Sequence, residues 1–304
     1  MTTRVAFQGE PGAFSEAAAI QLLGDWITTV PCPTFDAAFR AVPEGAADAL
    51  LAPVENSLAG SVVRVYDLLL ESDLGIVAET ILPIEHHLIG CPGTSLGDIR
   101  SVASHPMALA QCEKFFLAHP SLRRFPAEDT AGSVRDVIAR GDKSGAGIAG
   151  RRAAVYYGGV ILAESIQDNI ENFTRFVLLI PVVRETSTEK ASSPRFASAA
   201  VADLMGELRV RQAEQFVSGA SLKTSIALRL AHKPGALLAA LEPFALHGIN
   251  LMKIESRPIH GTPWIYQFFL DLVAESPAQL HAALLEVGNA TSALRILGSY
   301  PVAK

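Results

Sequence analysis

The residues best suited to chemistry form the hexad Glu171-Asn172-Phe173-Thr174-Arg175-Phe176, which runs directly into the apolar stretch 177–180. In an extended chain, Thr174 shares one face with Phe176, whereas Arg175 lies on the other face. A small hydroxyl beside a fixed cation, walled by aromatic rings, suits an anion that is kept away from water. The alternative interpretation is an ordinary polar strand edge with a surface arginine.

Polar side chains also occur where predicted strands pass into predicted helices. Four junctions share this pattern: strand 5–7 before helix 15–23, strand 49–52 before a helix ending at 70, strand 101–103 before helix 106–117, and Asp129-Thr130 before helix 131–140, with Thr130 as its N-cap. Each helix start presents unpaired N–H groups, where an anion gains from the donors and from the helix dipole. Ligands of open α/β sheets bind beyond the carboxyl ends of the strands. The junctions and the hexad together predict a cleft for a small anionic ligand.

The motifs follow one another in a fixed order along the chain. They are Gly9-Glu10-Pro11-Gly12 with Phe14-Ser15, Pro53-Val54-Glu55-Asn56-Ser57 with Gly60, Ser104-His105-Pro106 with Gln111, Asp129-Thr130-Ala131, and the hexad. In this order they resemble prephenate dehydratase in its monofunctional form, with a C-terminal ACT regulatory domain. The hexad is the most specific of these motifs, and the match covers almost the whole chain.

The resemblance implies an α/β fold with a two-lobed catalytic domain, like the type II periplasmic binding proteins, and a ferredoxin-like βαββαβ ACT domain. The catalytic domain is expected over 1–181, with lobe 1 at about 1–80 and 170–181 and lobe 2 at about 81–169. A linker is expected over 182–222, because Ser, Thr and charged residues dominate there. Within it, Leu204, Met205 and Leu208 predict the apolar face of a short helix. The ACT domain is expected over 223–304.

The resemblance also implies roles for the cleft residues. Prephenate becomes aromatic when CO2 and water depart, so the enzyme mainly helps the hydroxyl and the ring carboxylate to leave. Thr174 is the candidate donor to the leaving hydroxyl. Glu55 is the candidate proton relay, but it could equally orient Asn56 or cap a helix. Substrate-binding roles are assigned to Asn56, Ser57, Ser104, Gln111, Thr130, Arg175 and Phe176, with Arg175 as the carboxylate clamp.

The predicted activity is the decarboxylative dehydration of prephenate to phenylpyruvate in L-phenylalanine biosynthesis, without a cofactor. Arogenate carries an amino group where prephenate carries a keto group, and no residue of the chain separates these two substrates. Arogenate dehydratase is therefore an alternative. An alternative of another class is a non-catalytic amino-acid sensor built from the same cleft and ACT domain. An intact Thr174-Arg175-Phe176 argues against the sensor, since a pure binder has no need of that hydroxyl.

The C-terminal domain is expected to bind L-phenylalanine as an allosteric inhibitor. Gly235-Ala236-Leu237 and Glu255-Ser256-Arg257-Pro258 resemble the two effector motifs of ACT domains in this family, and Asn250 is a further candidate contact. The alternative interpretation is a turn glycine and a capped strand end. A sheet edge in so small a unit favours pairing with a second copy, so a homodimer or homotetramer is expected.

Composition excludes other classes of protein. The net charge of -6, with no basic stripe, argues against nucleic acid as a partner. No apolar run has the length of a membrane span and no signal-peptide pattern opens the chain, so a cytoplasmic location is expected. The scattered cysteines suit a reducing compartment, and no metal-ligand spacing occurs, so no metal is expected. The GxGxxG match at 145–150 follows a turn, and it therefore predicts a strand and a helix start rather than a dinucleotide site.

Overall fold

The computed structural model describes residues 2–182, 199–216, 221–259, 261–262 and 265–303. The chain forms two compact units, one comprising residues 1–72 and 80–178 and the other residues 73–79 and 179–304. The boundaries expected from the sequence, at 181 and 222, stay predictions.

The described strands are β1 (Arg4–Gln8), β2 (Thr28–Cys32), β3 (Ala49–Asn56), β4 (Gly60–Ser61), β5 (Leu74–Pro83), β6 (His87–Gly90), β7 (Ser101–Ser104), β8 (Arg123–Pro126), β9 (Gly145–Ala149), β10 (Val160–Ala163), β11 (Phe173–Pro181), β12 (Leu222–Arg229), β13 (Asn250–Pro258), β14 (Tyr266–Ala274) and β15 (Ala293–Pro301). The described α-helices are α1 (Phe14–Leu23), α2 (Phe35–Ala41), α3 (Val63–Glu71), α4 (Pro106–Ala110), α5 (Glu113–Ala118), α6 (Thr130–Arg140), α7 (Arg151–Tyr157), α8 (Ala199–Phe216), α9 (Ala236–Leu246) and α10 (Pro277–Ala290).

Two sheets carry the N-terminal part of the chain. The first has the order β2-β1-β3-β11-β5, with β4 paired to β3, and the second has the order β10-β6-β9-β7-β8. Strands β1 and β3 are buried on both faces at residues 5–7 and 49–52, as expected for central strands that are covered by helices. The chain leaves the first sheet after β5, builds the second sheet, and returns as β11. This is the expected two-lobed α/β arrangement.

The two connections between the sheets run side by side. Ile84 N donates to Asn172 O at 2.7 Å, and Ile166 N donates to His86 O at 2.8 Å. The side chain of Gln167 accepts from His86 N at 2.9 Å. Residues 84–86 and 166–172 therefore lie against each other and bring the start of β11 close to the end of β5.

Helices α1 and α7 also approach closely. Gly12 has φ +88°, and a Cβ atom at this position would lie 2.8 Å from Ala153 Cα, so only glycine fits. Just beyond it, Arg152 Nε donates to the buried carboxylate of Glu16 at 2.8 Å. Glu16 also accepts from Gly12 N and from the hydroxyl of Thr29. The predicted Gly-Glu-Pro-Gly loop thus makes room for an ion pair between two helices.

Three local predictions were wrong. Strand β3 does not end at Ala52 but continues through Asn56. The helix expected over 106–117 breaks at Gln111 and Cys112 into α4 and α5. The N-cap of α6 is Asp129, whose side chain accepts from Gly132 N at 2.6 Å, and Thr130 takes the first helical position instead. Aspartate and threonine both cap helices well, so composition alone does not choose between neighbours.

The second unit contains the predicted βαββαβ order, from β12 to β15, with the sheet order β13-β14-β12-β15. Helix α9 has the bounds 236–246 that the apolar pattern of the sequence predicts. Helix α8 confirms the helix predicted within the linker. Leu204 and Leu208 are buried as expected, together with Val201, whereas Met205 is only half-buried. Residues 183–198 and 217–220 of that segment lie outside the described residues. The sequence also predicts a strand over 264–272, and its first residue, Trp264, lies outside them as well. Among the helices that are described, none is long and apolar enough to cross a membrane.

Candidate active site

Side chains at the end of β3 form hydrogen bonds with the start of β11. Asn56 Nδ2 lies 2.9 Å from Thr174 Oγ1 and 3.2 Å from Phe173 O. The hydroxyl of Ser57 donates to Glu171 O at 2.8 Å and accepts from Phe173 N at 2.9 Å. Ser57 therefore uses its hydrogen to hold the backbone of the hexad, and Asn56 reaches the hydroxyl predicted to be catalytic.

Further hydrogen bonds connect Asn56 to residues on the other side of the site. Asn56 Nδ2 donates to Asn172 Oδ1 at 2.8 Å, and Asn172 Nδ2 donates to Gln111 Oε1 at 3.0 Å. His86 Nε2 lies 2.9 Å from the same Gln111 oxygen. We call these five residues the His86–Thr174 network. It joins β3, β11, the end of α4 and both connections between the sheets.

The hydrogens of this network have a defined direction. Asn56 Oδ1 accepts from Leu58 N at 3.0 Å and from Ala59 N at 2.8 Å, which fixes the orientation of the amide. Its Nδ2 can then only donate, so Thr174 Oγ1 accepts in their contact. The hydrogen of the Thr174 hydroxyl is consequently available for a ligand. Thr174 is 8% exposed, so this hydrogen would act at a site largely shielded from water.

His86 lies at the other end of the network in an apolar environment. Its ring is 2% exposed and meets the ring of Phe14 edge-on, with 5.6 Å between the centroids. Burial lowers the pKa of His86 against the opposing hydrogen bond to Gln111, which favours the neutral imidazole. Its Nδ1 atom is buried and has no hydrogen-bond partner within the described part of the chain.

Arg175 points to the other side of β11 from Thr174, as the alternation of a strand requires. Its guanidinium lies 3.5 Å from Glu55 Oε2, and its side chain is 11% exposed, compared with 39% for Glu55. Glu55 and Asn56 likewise alternate along β3. The neighbouring strands therefore bring Thr174 to Asn56 on one face and Arg175 to Glu55 on the other. The clamp role of Arg175 and the relay role of Glu55 stay predictions.

The other predicted cleft residues lie outside the His86–Thr174 network. Ser104 is fully buried and its hydroxyl donates to Ile148 O at 2.6 Å. Thr130 is half-buried at the first position of α6. Phe176 is 2% exposed and belongs to the core. Their substrate-binding roles stay predictions.

Sequence reasoning gave no role to His86 or Asn172, although both belong to this network. Asn172 is part of the hexad and is 1% exposed. His86 stands between the apolar residues Ile84 and Leu88, where a histidine needs a polar partner. The partner, Gln111, is distant in sequence, and no spacing pattern connects them. Within the described residues, no cluster of His, Cys, Asp or Glu is arranged to hold a metal ion.

The predicted effector motifs meet at one end of the C-terminal sheet. Strands β12 and β13 both pair antiparallel with β14, so they run in the same direction and end together. Gly235 follows β12 with φ +80° and caps the start of α9, and Glu255–Pro258 complete β13. Asn250 opens β13, roughly 20 Å from Arg257 at about 3.3 Å per residue. One copy of the unit therefore keeps Asn250 away from the other candidate residues.

The remaining effector candidates differ in exposure. Ala236 belongs to the core of the unit and Leu237 packs against that core. On β13, Ser256 and Pro258 are exposed, as are the apolar side chains of Met252 and Ile254. Strand β13 stands at the edge of its sheet. An edge strand with exposed apolar side chains is a surface suited to pairing.

Comparisons with known proteins agree with this arrangement. The prephenate dehydratase family model matches residues 5–181, and the ACT domain model matches residues 224–287. The chain is 38% identical to Arogenate dehydratase/prephenate dehydratase 1, chloroplastic, of Arabidopsis thaliana, over 98% of this chain and 72% of that protein. It is 31% identical to the solved prephenate dehydratase of Arthrobacter aurescens in complex with L-Phe, with TM-score 0.78, covering 98% of this chain and 89% of that one. A structure described as a novel type of quorum quenching acylase is 32% identical, with TM-score 0.80 and 98% coverage of both chains.

Proposed function

This chain belongs to the prephenate dehydratase family, and from that premise we propose how its cleft converts prephenate to phenylpyruvate, CO2 and water. The chain is a lyase of the dehydratase type, so the non-catalytic sensor is set aside. The observation that carries the proposal is the direction of the Thr174 hydroxyl, which accepts from Asn56 and keeps its own hydrogen for a ligand.

Thr174 donates this hydrogen bond to the hydroxyl that leaves the prephenate ring. As the C–O bond breaks, the leaving oxygen gains negative charge, and the proton that converts it to water comes from the solvent. The electron pair of the bond to the ring carboxylate enters the ring, which becomes aromatic, and CO2 departs. A threonine hydroxyl is a weak acid, so its contribution is a preoriented dipole rather than full proton transfer. One such donor contributes about 2.7–4 kcal/mol to transition-state stabilisation.

The surroundings of Thr174 suit a substrate with two carboxylates. The side chains of Asn56, Asn172 and Gln111 carry no charge, and burial keeps His86 neutral. The network therefore holds the hydroxyl without placing a negative charge beside the dianion. Because its dipoles are fixed before the substrate arrives, little reorganisation accompanies the reaction.

Arg175 recognises a substrate carboxylate in this proposal, and Glu55 holds the guanidinium in place. Glu55 Oε2 lies 3.5 Å from the guanidinium of Arg175, and in this proposal the planar fork also binds two oxygens of a substrate carboxylate. Glu55 thereby acts through Arg175 and needs no proton of its own.

The decisive experiment assays the purified protein with prephenate and with arogenate, following phenylpyruvate and phenylalanine. We expect turnover of prephenate. The arogenate alternative is supported by relatives that are named arogenate dehydratases, such as the Arabidopsis protein. If kcat/KM is higher with arogenate than with prephenate, arogenate is the preferred substrate. An N-acylated amine is assayed as a third compound to test for acylase activity, because one similar structure is described as an acylase. Hydrolysis of the amide without either dehydration would refute the proposal.

L-Phenylalanine is the proposed effector of the C-terminal unit, and the complex named for the Arthrobacter relative supports this choice. Gly235, with φ +80° and open space around its Cα, lets backbone N–H groups approach an amino acid. Gly235→Val should abolish the heat of phenylalanine binding in calorimetry and leave basal turnover intact. The matched control is Gly248→Val, at φ +64° beyond the other end of α9, which should still bind. Equal binding by both variants would place the effector elsewhere.

The oligomer proposed here is a dimer formed through β13, with a tetramer as the larger alternative. Exposed Met252 and Ile254 on an edge strand support it, and a second copy could bring its Asn250 to the effector end. Sedimentation of Met252→Lys tests this interface, since a charge there should weaken self-association. We further propose a cytoplasmic location, supported by the three cysteines, which are buried and unpaired.

A further inference from the structure

The polarity of the His86–Thr174 network can be followed from the backbone to the imidazole. Backbone N–H groups fix Asn56 Oδ1, so Asn56 Nδ2 donates to Asn172 Oδ1. The other end of the Asn172 amide is then a donor, and the Gln111 atom that faces it must be the oxygen. That oxygen only accepts, so His86 donates to it from Nε2. One tautomer of His86 satisfies every contact.

We propose that His86 is a positioning residue for Thr174, acting as an Nε2-protonated imidazole that orients Gln111 and, through it, Asn172, which accepts a hydrogen bond from Asn56 beside Thr174. This inference rests on the function proposed above and deepens it. His86 touches neither the substrate nor the reacting atoms. Its donor fixes the Gln111 oxygen, so that Asn172 keeps its own oxygen towards Asn56 Nδ2. This acceptor holds in place an amide that the backbone already orients with a hydrogen towards Thr174.

The surroundings of His86 favour this role over a general core contact. The Phe14 ring lies edge-on to the imidazole at 5.6 Å, and Nδ1 has no partner among the described residues. A hydrogen on Nδ1 would therefore be buried without an acceptor, which is costly. Packing thus selects the Nε2 tautomer, and burial lowers the pKa so that the ring stays neutral.

The neighbouring residue His87 is a matched control for the loss of a buried imidazole. It is 1% exposed, and burial lowers its pKa as well. Its Nδ1 accepts from Ser165 N at 3.1 Å, and as a β6 residue it points away from its neighbour's side. Replacing His87 removes a buried imidazole and one hydrogen bond but leaves the His86–Thr174 network in place.

The experiment compares His86→Leu, His86→Gln and His87→Leu with prephenate as substrate. His86→Leu should lower kcat about tenfold, the loss expected for one buried hydrogen bond, with KM changed less than about twofold. His86→Gln retains a donor and should recover most of the rate. His87→Leu should keep its kcat. In a Thr174→Val background, His86→Leu should cost nothing further, because the hydroxyl that it orients is absent.

Several outcomes overturn the proposal. An equal loss of kcat from His86→Leu in both the Thr174 and Thr174→Val backgrounds indicates a structural role, as does a similar loss in His87→Leu. If His86→Leu does not fold, His86→Gln and the ¹⁵N spectrum of the wild-type imidazole decide the matter. A hydrogen on Nδ1 of His86 contradicts the assigned polarity. Wild-type protein that turns over neither dehydratase substrate but shows the Nε2 tautomer refutes the function and leaves the network standing.

Discussion

Thr174→Val removes the hydroxyl that is proposed to donate to the substrate and keeps almost the same side-chain shape. Thr174 is 8% exposed and sits at the second position of β11, where valine is a favourable strand residue. The hydrogen that Asn56 donated to Thr174 still has Phe173 O at 3.2 Å. The substitution therefore leaves no isolated buried donor, and we expect it to lower the free energy of unfolding by only about 1 kcal/mol.

The loss of activity should be much larger than the loss of stability. A preoriented donor in a water-excluded site is worth about 2.7–4 kcal/mol, which corresponds to a fall in kcat of roughly 10²–10³. KM should change little, because the donor acts mainly on charge that develops as the C–O bond breaks. Thr174→Ser keeps the hydroxyl and should retain much more of the rate.

Steady-state kinetics with prephenate and urea unfolding of the same samples test this expectation. Thr224→Val is the matched control, since Thr224 is also buried in a strand and its hydroxyl bonds Ser299 at 2.8 Å. That variant should lose similar stability and keep its basal kcat. A Thr174→Val protein within threefold of the wild-type kcat would refute the role of the hydroxyl. A large loss in both valine variants would point to a general effect of the substitution.

Three further predictions concern charged groups. Arg175→Lys should raise KM and lower kcat in steady-state assays, because a lysine ammonium cannot bind a carboxylate through two parallel hydrogen bonds as the arginine guanidinium does. Unchanged kinetics would refute the role of Arg175 in binding a substrate carboxylate. Burial raises the pKa of Glu16, but hydrogen bonds led by Arg152 outweigh it and hold the pKa below 4.5. Its stabilisation is present above that pH and is lost as the pH falls, so Glu16→Gln should flatten the acid limb of urea-unfolding stability; an unchanged limb contradicts this. Glu79→Gln breaks a buried pair at 2.7 Å with Lys223 and should lower the free energy of urea unfolding by about 3–5 kcal/mol, whereas wild-type stability would refute it.

Much of the fold follows from local sequence signals. Apolar runs at 5–7 and 49–52 predicted central strands, and the match to GxGxxG at 145–150 was correctly assigned to a strand and a helix start. The prediction of one helix over 106–117 was wrong because the break depends on a residue far away in the sequence. Asp168 accepts from Glu113 N and Lys114 N at 3.0 and 2.8 Å, which caps a new helix after the break. A capping residue more than fifty positions away cannot be read from a helical pattern.

The site was predictable only in part for the same reason. Motif resemblance identified Thr174, Asn56 and Gln111, which the structure joins in one network. The sequence also predicted, from strand alternation, that Thr174 and Arg175 lie on opposite faces. It did not predict that Asn56 and Glu55 of β3 are their partners, because the pairing of β3 with β11 is a long-range property.

The broken helix also explains how the network is assembled. The break leaves Gln111 at the C-terminal end of α4, where its backbone carbonyl accepts from Asp168 N at 2.7 Å and its side chain reaches Asn172. The contact between Asn56 and Thr174 lies within the first sheet, whereas Gln111 belongs to the part of the chain that builds the second. A movement that separates the sheets would break the 3.0 Å bond from Asn172 to Gln111 before it disturbs Thr174 and Asn56. The Thr174 hydroxyl would then keep its contact with Asn56, but Asn172 would lose its link to Gln111 and His86. The support that His86 is proposed to give therefore requires the two sheets to stay together.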